Sequence, residues 1–286
     1  MSGLSARLTG EAKRIPASVW DALANPEGKP NPHPFTRHAF FHALEESGSA
    51  TAETGWQPVH LLAERDGKAV GLLPLYRKSH SYGEYVFDHG WAEAFARAGG
   101  RYYPKLQASV PFTPVTGRRL LVARSEDRHD LGRFLLSAAG NAVHESRASS
   151  LHITFMTEDE WALAEAEGYL RRTDKQFHWE NRGYSSFEDY LNELSSAKRK
   201  SLRKEREAVR AAGVEIEWRT GSDITEAVWD AFFECYTATG NQKWNPPYLT
   251  REFFSRAGES MGDQILLVVA KIDRKSTRLN SSHVSE

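Results

Sequence analysis

The 286-residue chain has one cysteine, Cys235. A single thiol excludes an internal disulfide framework and suits a reducing setting, so the chain is expected to be cytoplasmic. Charge of one sign is also missing: 37 Lys and Arg stand against 38 Asp and Glu, a net −1 at pH 7. No global field then draws the protein to DNA or to an anionic membrane. Apolar runs stop well short of the roughly 18 residues that a membrane span needs, and the N-terminus lacks the basic-then-apolar profile of a secretory leader. Four familiar chemistries are absent: His-Glu-x-x-His, paired-cysteine zinc spacing, Gly-x-Ser-x-Gly and the glycine-rich phosphate loop of nucleotide hydrolases. His38 and His42 are one helical turn apart, but no third ligand accompanies them. They read as a surface helix face, and no metal is expected.

What is present supports real cores. Eight tryptophans and fourteen phenylalanines occur in a chain with 40% hydrophobic residues, long enough for two domains of about 100–200 residues. Cys235 lies in the apolar run 231–236 and reads as a buried, inert thiol. Two regions repeat one order of landmarks. Near the start these are Trp20-Asp21-Ala22, Pro34-Phe35, Phe40-Phe41 and the strand 58–66; near the end, Trp229-Asp230-Ala231, Pro247-Tyr248, Phe253-Phe254 and the strand 265–273.

Between the copies, Leu131, Phe134, Leu135, Ala138 and Ala142 share one face of a helix over 127–147. Residues 150–155 alternate as a strand, and Thr157 with Glu160 has the spacing of a capping box that opens a helix ending at Gly168. A strand around Gln176–Trp179 and a long helix over 187–212, closed by Gly213, open the second copy. Strands alternating with helices predict an α/β (α+β) class, with mixed sheets flanked by helices. The expected division is a disordered N-terminus (1–10), a first domain (11–170), a partial second domain (171–273) and a non-native tail (274–286).

The tail expectation has two sources. Residues 275–285 resemble a translated sequencing adaptor, and the repeat breaks at the same place. In the first copy Asp66 leads through Gly67 and Lys68 into a returning strand, whereas Asp273 is followed by Arg274 and no apolar strand returns. Without 274–286 the net charge would be −3. The strand 265–270 would then be an edge without a partner, prone to aggregation, and the chain as written would be inactive.

Three segments are candidates for chemistry. The first is 102–119, whose prolines argue against a helix or a central strand. Its Lys105, Gln107, Thr113 and Thr116 are of the kind that orient a substrate or pack as scaffold. Just upstream, Asp88-His89 reads as a solvent-facing turn rather than an acid/base pair. The second is the strand 176–179, where alternation puts Gln176 and His178 on one face and Phe177 and Trp179 on the other. The third is the helix in which Arg199, Arg203, Arg206 and Arg210 form one narrow wedge beside an apolar stripe of Leu191, Leu194, Leu202 and Val209. That wedge is either a solvated face or a phosphate-binding surface.

These stretches resemble the FemAB-like branch of the GNAT acyltransferase superfamily, the peptidoglycan biosynthesis or recognition proteins. The residues that carry the resemblance are Gly83–Asp88, 102–121, Gln176–Asn181, Ser195–Lys200 and Trp244–Arg251. The resemblance implies tandem GNAT-like domains and transfer of an acyl or aminoacyl group to an amine. The donor would be acyl-CoA or an aminoacyl-tRNA, and the acceptor a small molecule or cell-wall precursor, with transfer RNA among the partners. In that reading His178 is the base, Arg199 and Arg203 anchor phosphate, and Lys105, Gln107, Thr113, Thr116, Gln176 and Trp179 line the substrate. One departure stands out. No Arg/Gln-x-x-Gly-x-Gly/Ala loop is present, and the helix that should follow it opens with Glu126, Asp127 and Asp130, which compete with a pyrophosphate for the positive helix end. A non-catalytic binding protein on the same scaffold is the competing reading.

Overall fold

A computed structural model describes residues 3–30, 32–86, 88–242 and 247–272. The expected tail 274–286, and residues 244–246 of the last resemblance segment, lie outside them. The chain forms two compact units, Met1–Arg171 with Pro246–Gln264, and Arg172–Asn245 with Ile265–Glu286.

The first unit contains two four-stranded sheets. One runs β1 (Leu4–Leu8), β3 (Leu61–Arg65), β4 (Lys68–Leu73) and β7 (Leu121–Val122) in that order, antiparallel throughout. The other runs β2 (Trp56–Pro58), β5 (Tyr76–Lys78), β6 (Lys105–Ala108) and β8 (Leu151–Ile153), with β6 and β8 parallel. Residues 4–8, expected to be disordered, are β1. Leu4, Ala6 and Leu8 alternate inward against the core, and exposed Arg7 pairs with Glu64 at 3.0 Å. Such a pattern needs only a free edge to become a strand.

The helices of this unit are α1 (Ala17–Ala24), α2 (His38–Glu46), α3 (His89–Arg97), α4 (Arg128–Glu145), α5 (Glu158–Ala166) and α9 (Arg251–Met261), numbered along the whole chain. The 3.6-residue period seats α4 on the core through Leu131, Leu135, Leu136 and Ala139, against Leu61, Ala63, Leu73, Leu106 and Ala108. Each such leucine contributes about 1.5–3 kcal/mol by leaving water. Glycine at 132 lets α5 approach closely, since a Cβ there would fall 2.8 Å from Leu163 Cδ2.

Thr157 does precede α5, but the expected capping box does not form. Glu160 turns away and accepts the backbone N–H of Arg119 at 2.8 Å and of Leu120 at 3.2 Å. Two buried amides outside the helix hold that carboxylate more firmly than one frayed helix end can. His38, expected on a surface, is buried beside Trp20 and hydrogen-bonds Ala12 O at 3.1 Å. No group placed to hold a metal occurs among the described residues, and no helix among them is long and apolar enough to cross a membrane.

Helices α2 and α9, which occupy equivalent places in the sequence repeat, pack on each other. Phe40 and Phe253 meet edge to face at 5.9 Å. The Thr250 hydroxyl donates to Ser47 O at 2.9 Å, and its backbone N–H donates to Ser49 Oγ at 3.1 Å.

In the second unit, the expected helix over 187–212 is two helices, α6 (Phe187–Asn192) and α7 (Ser196–Ala211). Ser195 accepts the N–H of Lys198 and restarts the helix as an N-cap, which an uninterrupted helix would not allow. Residues 171–182 form no regular element, so the expected strand at 176–179 is absent. A strand needs a ladder partner, and the sheet described in this unit has two strands, which pair with each other. These are β9 (Val214–Arg219) and β10 (Leu267–Ile272), antiparallel, with α8 (Glu226–Gln242) between them in sequence. The strand near 265–270 therefore pairs on one side with β9, contrary to the expectation of no partner, and is, as expected, an edge of the sheet described. Cys235 is half-buried rather than fully enclosed.

Candidate functional site

Strand β6 presents two different faces. Leu106 and Ala108 enter the hydrophobic core, while Lys105 and Gln107 point the other way, yet all four are buried. The segment expected to be irregular is thus a central strand, its prolines (104, 111 and 114) falling just outside the ladder where no N–H is needed. Across the ladder Lys105 faces Lys78 on β5, and Gln107 faces Tyr76 on β5 and His152 on β8.

Two lysines side by side in an interior require compensation. Lys105 Nζ donates to Asp88 Oδ2 at 2.5 Å, Glu84 Oε2 at 2.7 Å and Ser81 Oγ at 2.8 Å, with all of these groups buried. Tyr102 adds a hydrogen bond to Asp88 at 2.8 Å. Lys78 Nζ lies 3.5 Å above the Trp56 ring, 3.3 Å from Tyr82 O and 4.0 Å from Glu84. Burial, opposed by Glu84 and reinforced by the Lys105 charge, lowers Lys78 to about 6. That shift favours the neutral amine near pH 7. Burial also pushes Asp88 up, but the hydrogen bonds and charge of Lys105, with Ser81 and Tyr102, outweigh it and leave the carboxyl at about 2. For Glu84 burial wins over the lysines, and its carboxyl is raised. Asp88 was expected in a solvent-facing turn. Its neighbour His89 is exposed, but Asp88 is wholly buried.

The same face carries polar atoms with no hydrogen-bond partner: Gln107 Oε1, Ser109 Oγ, Trp56 Nε1, Glu84 Oε1 and Asp88 Oδ1. An unpaired buried polar atom costs about 1–3 kcal/mol, so this concentration, in which Glu84 Oε1 has only the 4.0 Å ion pair with Lys78, marks a place not optimised for stability alone. Gly83 (φ +77°) closes one side, because a Cβ there would fall 2.6 Å from the Phe112 ring and 3.4 Å from Trp56 Nε1. Phe112 donates its N–H to Gly83 O at 3.1 Å and stacks on Tyr248 at 5.3 Å. Three segments far apart in sequence, 81–88, 102–112 and 248–250, are thereby brought into the first unit.

The residues singled out from sequence fall into two sets. Lys105 and Gln107 belong to the buried face, and Gln107 Nε2 donates to Thr154 Oγ1 at 2.9 Å. Thr113 is half-buried and Thr116 exposed, both in the loop after β6. Gln176, His178, Trp179, Arg199 and Arg203 lie in the second unit. Without the strand the expected shared face is not formed, although His178 Nε2 sits 2.8 Å from Gln176 Oε1, and Trp179 is exposed. Arg203 pairs with Glu188 at 2.5 Å, and Arg199 donates to Asn192 at 3.2 Å, bracing α7 against α6. The expected apolar stripe buries Leu191 alone completely, leaving Val209 exposed. Sequence reasoning missed Lys78, Ser81, Glu84 and Trp56. The usable signal for Glu84 was its place in the Gly83–Asp88 segment.

The first unit does not fit a coenzyme A pyrophosphate at the start of α4. Asp127 already caps that helix end, accepting the N–H groups of His129 at 2.9 Å and Asp130 at 2.8 Å. Glu126 is held by Arg65 at 2.8 Å. Just before β7, the Arg119 side chain donates to the carbonyls of Thr154, Gly117, Arg118 and Val115. Burial lowers that guanidinium to about 10.

The model of a family described as FemAB-like, peptidoglycan biosynthesis/recognition, matches residues 11–282. Among curated proteins none matches the chain. Solved structures with similarity include FemX (TM-score 0.48, 15% identity, covering 91% of this chain and 57% of that one). Another is a ribosomal-protein-alanine N-acetyltransferase from Brucella melitensis biovar Abortus 2308 (TM-score 0.36, 12% identity, 62% and 98% covered). A third is the aminoglycoside N-acetyltransferase AAC(6')-Iy in complex with CoA (TM-score 0.37, 15% identity, 64% and 97% covered). The chain thus spans 57% of the FemX chain that it matches.

Proposed function

The chain belongs to the FemAB-like family of peptidoglycan biosynthesis/recognition proteins, and on that premise we propose that it transfers an acyl or aminoacyl group onto an amine of a cell-wall precursor. The observation that carries this reading is the buried polar face of β6. Gln107 Oε1 and Ser109 Oγ offer unused acceptor capacity to a substrate N–H or O–H, and Lys78 supplies an amine that is neutral near pH 7. A base with a value near the working pH suits removal of a proton from an attacking ammonium. The Lys105–Asp88–Glu84 cluster fixes β6 and the 81–88 segment around that face, and so serves as a positioning group. In the second unit, His178 remains a second candidate base. Arg199 and Arg203 are candidate phosphate anchors, since an exposed Arg203–Glu188 pair is worth little and can exchange partners. Gln176, Trp179, Thr113 and Thr116 complete the proposed substrate set, and the two units would be the duplicated GNAT-like domains.

Recognition without transfer is a second reading, favoured by the Asp127-capped end of α4. One experiment separates the two. The full chain is incubated with a muropeptide bearing a free amine and either acyl-CoA or aminoacyl-tRNA, and binding and product mass are both followed. A product heavier by the acyl group with one donor supports transfer. Saturable muropeptide binding with no product from either donor refutes transfer and establishes recognition.

A further inference from the structure

We propose that a surface pocket of the first unit, at the points where the parallel strands β6 and β8 begin, binds an organic phosphate whose flat ring lies on Phe95. The pocket has a volume of about 280 Å³, and Phe95, Arg101, Tyr103, Pro104, Arg147 and Ser149 line it. This volume lies near the small end of ligand pockets, about 300–1,000 Å³, and suits one ring and one phosphate rather than a polymer. It is distinct from the β6 face and independent of the proposed transfer.

Charge is the first argument. Arg97, Arg133 and Arg171 of the same unit each have a carboxylate partner. Arg101 and Arg147 form no ion pair among the described residues, and both residues line this one pocket. A guanidinium matches a phosphate through two parallel N–H donors. Arg147 also holds φ +50°, a left-handed backbone that is costly for a residue other than Gly, Asn or Asp.

Shape is the second argument. The Phe95 ring is 46% exposed yet fixed in place, edge-on to Tyr102 at 6.1 Å and lying over Gly100, where a Cβ would fall 2.5 Å from it. A preset apolar wall beside two cations recognises a ring and an anion together. The pocket walls are tied by Ser149 N–H to Pro104 O at 2.8 Å. Tyr103 links the pocket inward, with its hydroxyl 2.7 Å from Ser81 Oγ, which in turn accepts from Lys105.

The test is isothermal titration of the full chain with phenyl phosphate, inorganic phosphate and phenol. Phenyl phosphate should bind, inorganic phosphate more weakly, and phenol not measurably. Arg101→Ala and Arg147→Asn (Asn tolerates the left-handed backbone) should each weaken phenyl phosphate about tenfold, as expected for loss of a charge-assisted contact, without lowering the thermal midpoint. Phe95→Ala should reduce phenyl phosphate to the affinity of inorganic phosphate. No binding of phenyl phosphate up to about 10 mM, equal binding of the two phosphates by the native chain, or binding indifferent to both arginine variants would each overturn the proposal.

Discussion

Asp88 and Lys105 show how much energy one buried contact can govern. Their atoms are 2.5 Å apart in a place without solvent, where removing one partner of a pair costs about 3–5 kcal/mol. Asp88→Asn should therefore lower the urea unfolding free energy by about 3 kcal/mol, the low end because Glu84 still holds Lys105. A loss below about 1 kcal/mol would mean the pair is effectively solvated. The pH dependence has a definite sign. Asp88 lies below its ordinary range, so its contribution is full above about 4 and is lost as pH falls toward 2. Lys78 is lowered from 10.5 to about 6, so unfolding takes up a proton anywhere between those values, and its effect is a stability that rises with pH across that window. Lys78→Met should flatten that rise, as followed by unfolding at pH 6.5, 8 and 9.5; an unchanged slope would contradict the low value. Lys105 and Gln107 were readable as polar residues in a proline-rich stretch. Their partners were not, because contacts spanning 17 to 24 residues leave no periodic trace in sequence.

At the scale of elements, those with a strong repeat were legible and those set by competition were not. Helix α4 showed its 3.6-residue apolar face, and β8 its alternation. Strand β6 was hidden because its prolines flank the ladder rather than interrupt it. The break between α6 and α7 was hidden because Ser195 can sit within a helix or cap one, and the choice rests on a single hydrogen bond. Asp127→Ala should cost about 1 kcal/mol by uncapping α4, read as a lower thermal midpoint; no change would show that the cap is redundant. On the β9–β10 sheet, Ile216, Trp218, Val268 and Ile272 expose one apolar face, with Trp218 at 73%. Such a face promotes self-association. Trp218→Lys should therefore reduce the concentration-dependent size seen by light scattering, and an unchanged size would show that this face is not involved.

For the whole molecule, the repeat was legible as matching landmarks, but sequence did not reveal that α2 and α9, equivalent in the repeat, would pack against each other in one unit. The family, too, was legible as separate short segments. Their meaning emerges when Gly83, Glu84 and Asp88, Lys105–Phe112 and Tyr248 come together beside β6. The central claim is that this buried polar face serves substrate and not stability alone. Ser109 tests it most directly, because its buried hydroxyl has no partner and removing it leaves no other group unpaired. The measurement is amine-acylation turnover of Ser109→Ala, alongside its unfolding free energy. A variant as stable as the native chain or more so, but at least about tenfold slower (roughly 1.4 kcal/mol in the barrier), is the predicted result. Unchanged turnover would contradict the claim and return β6 to a purely structural role.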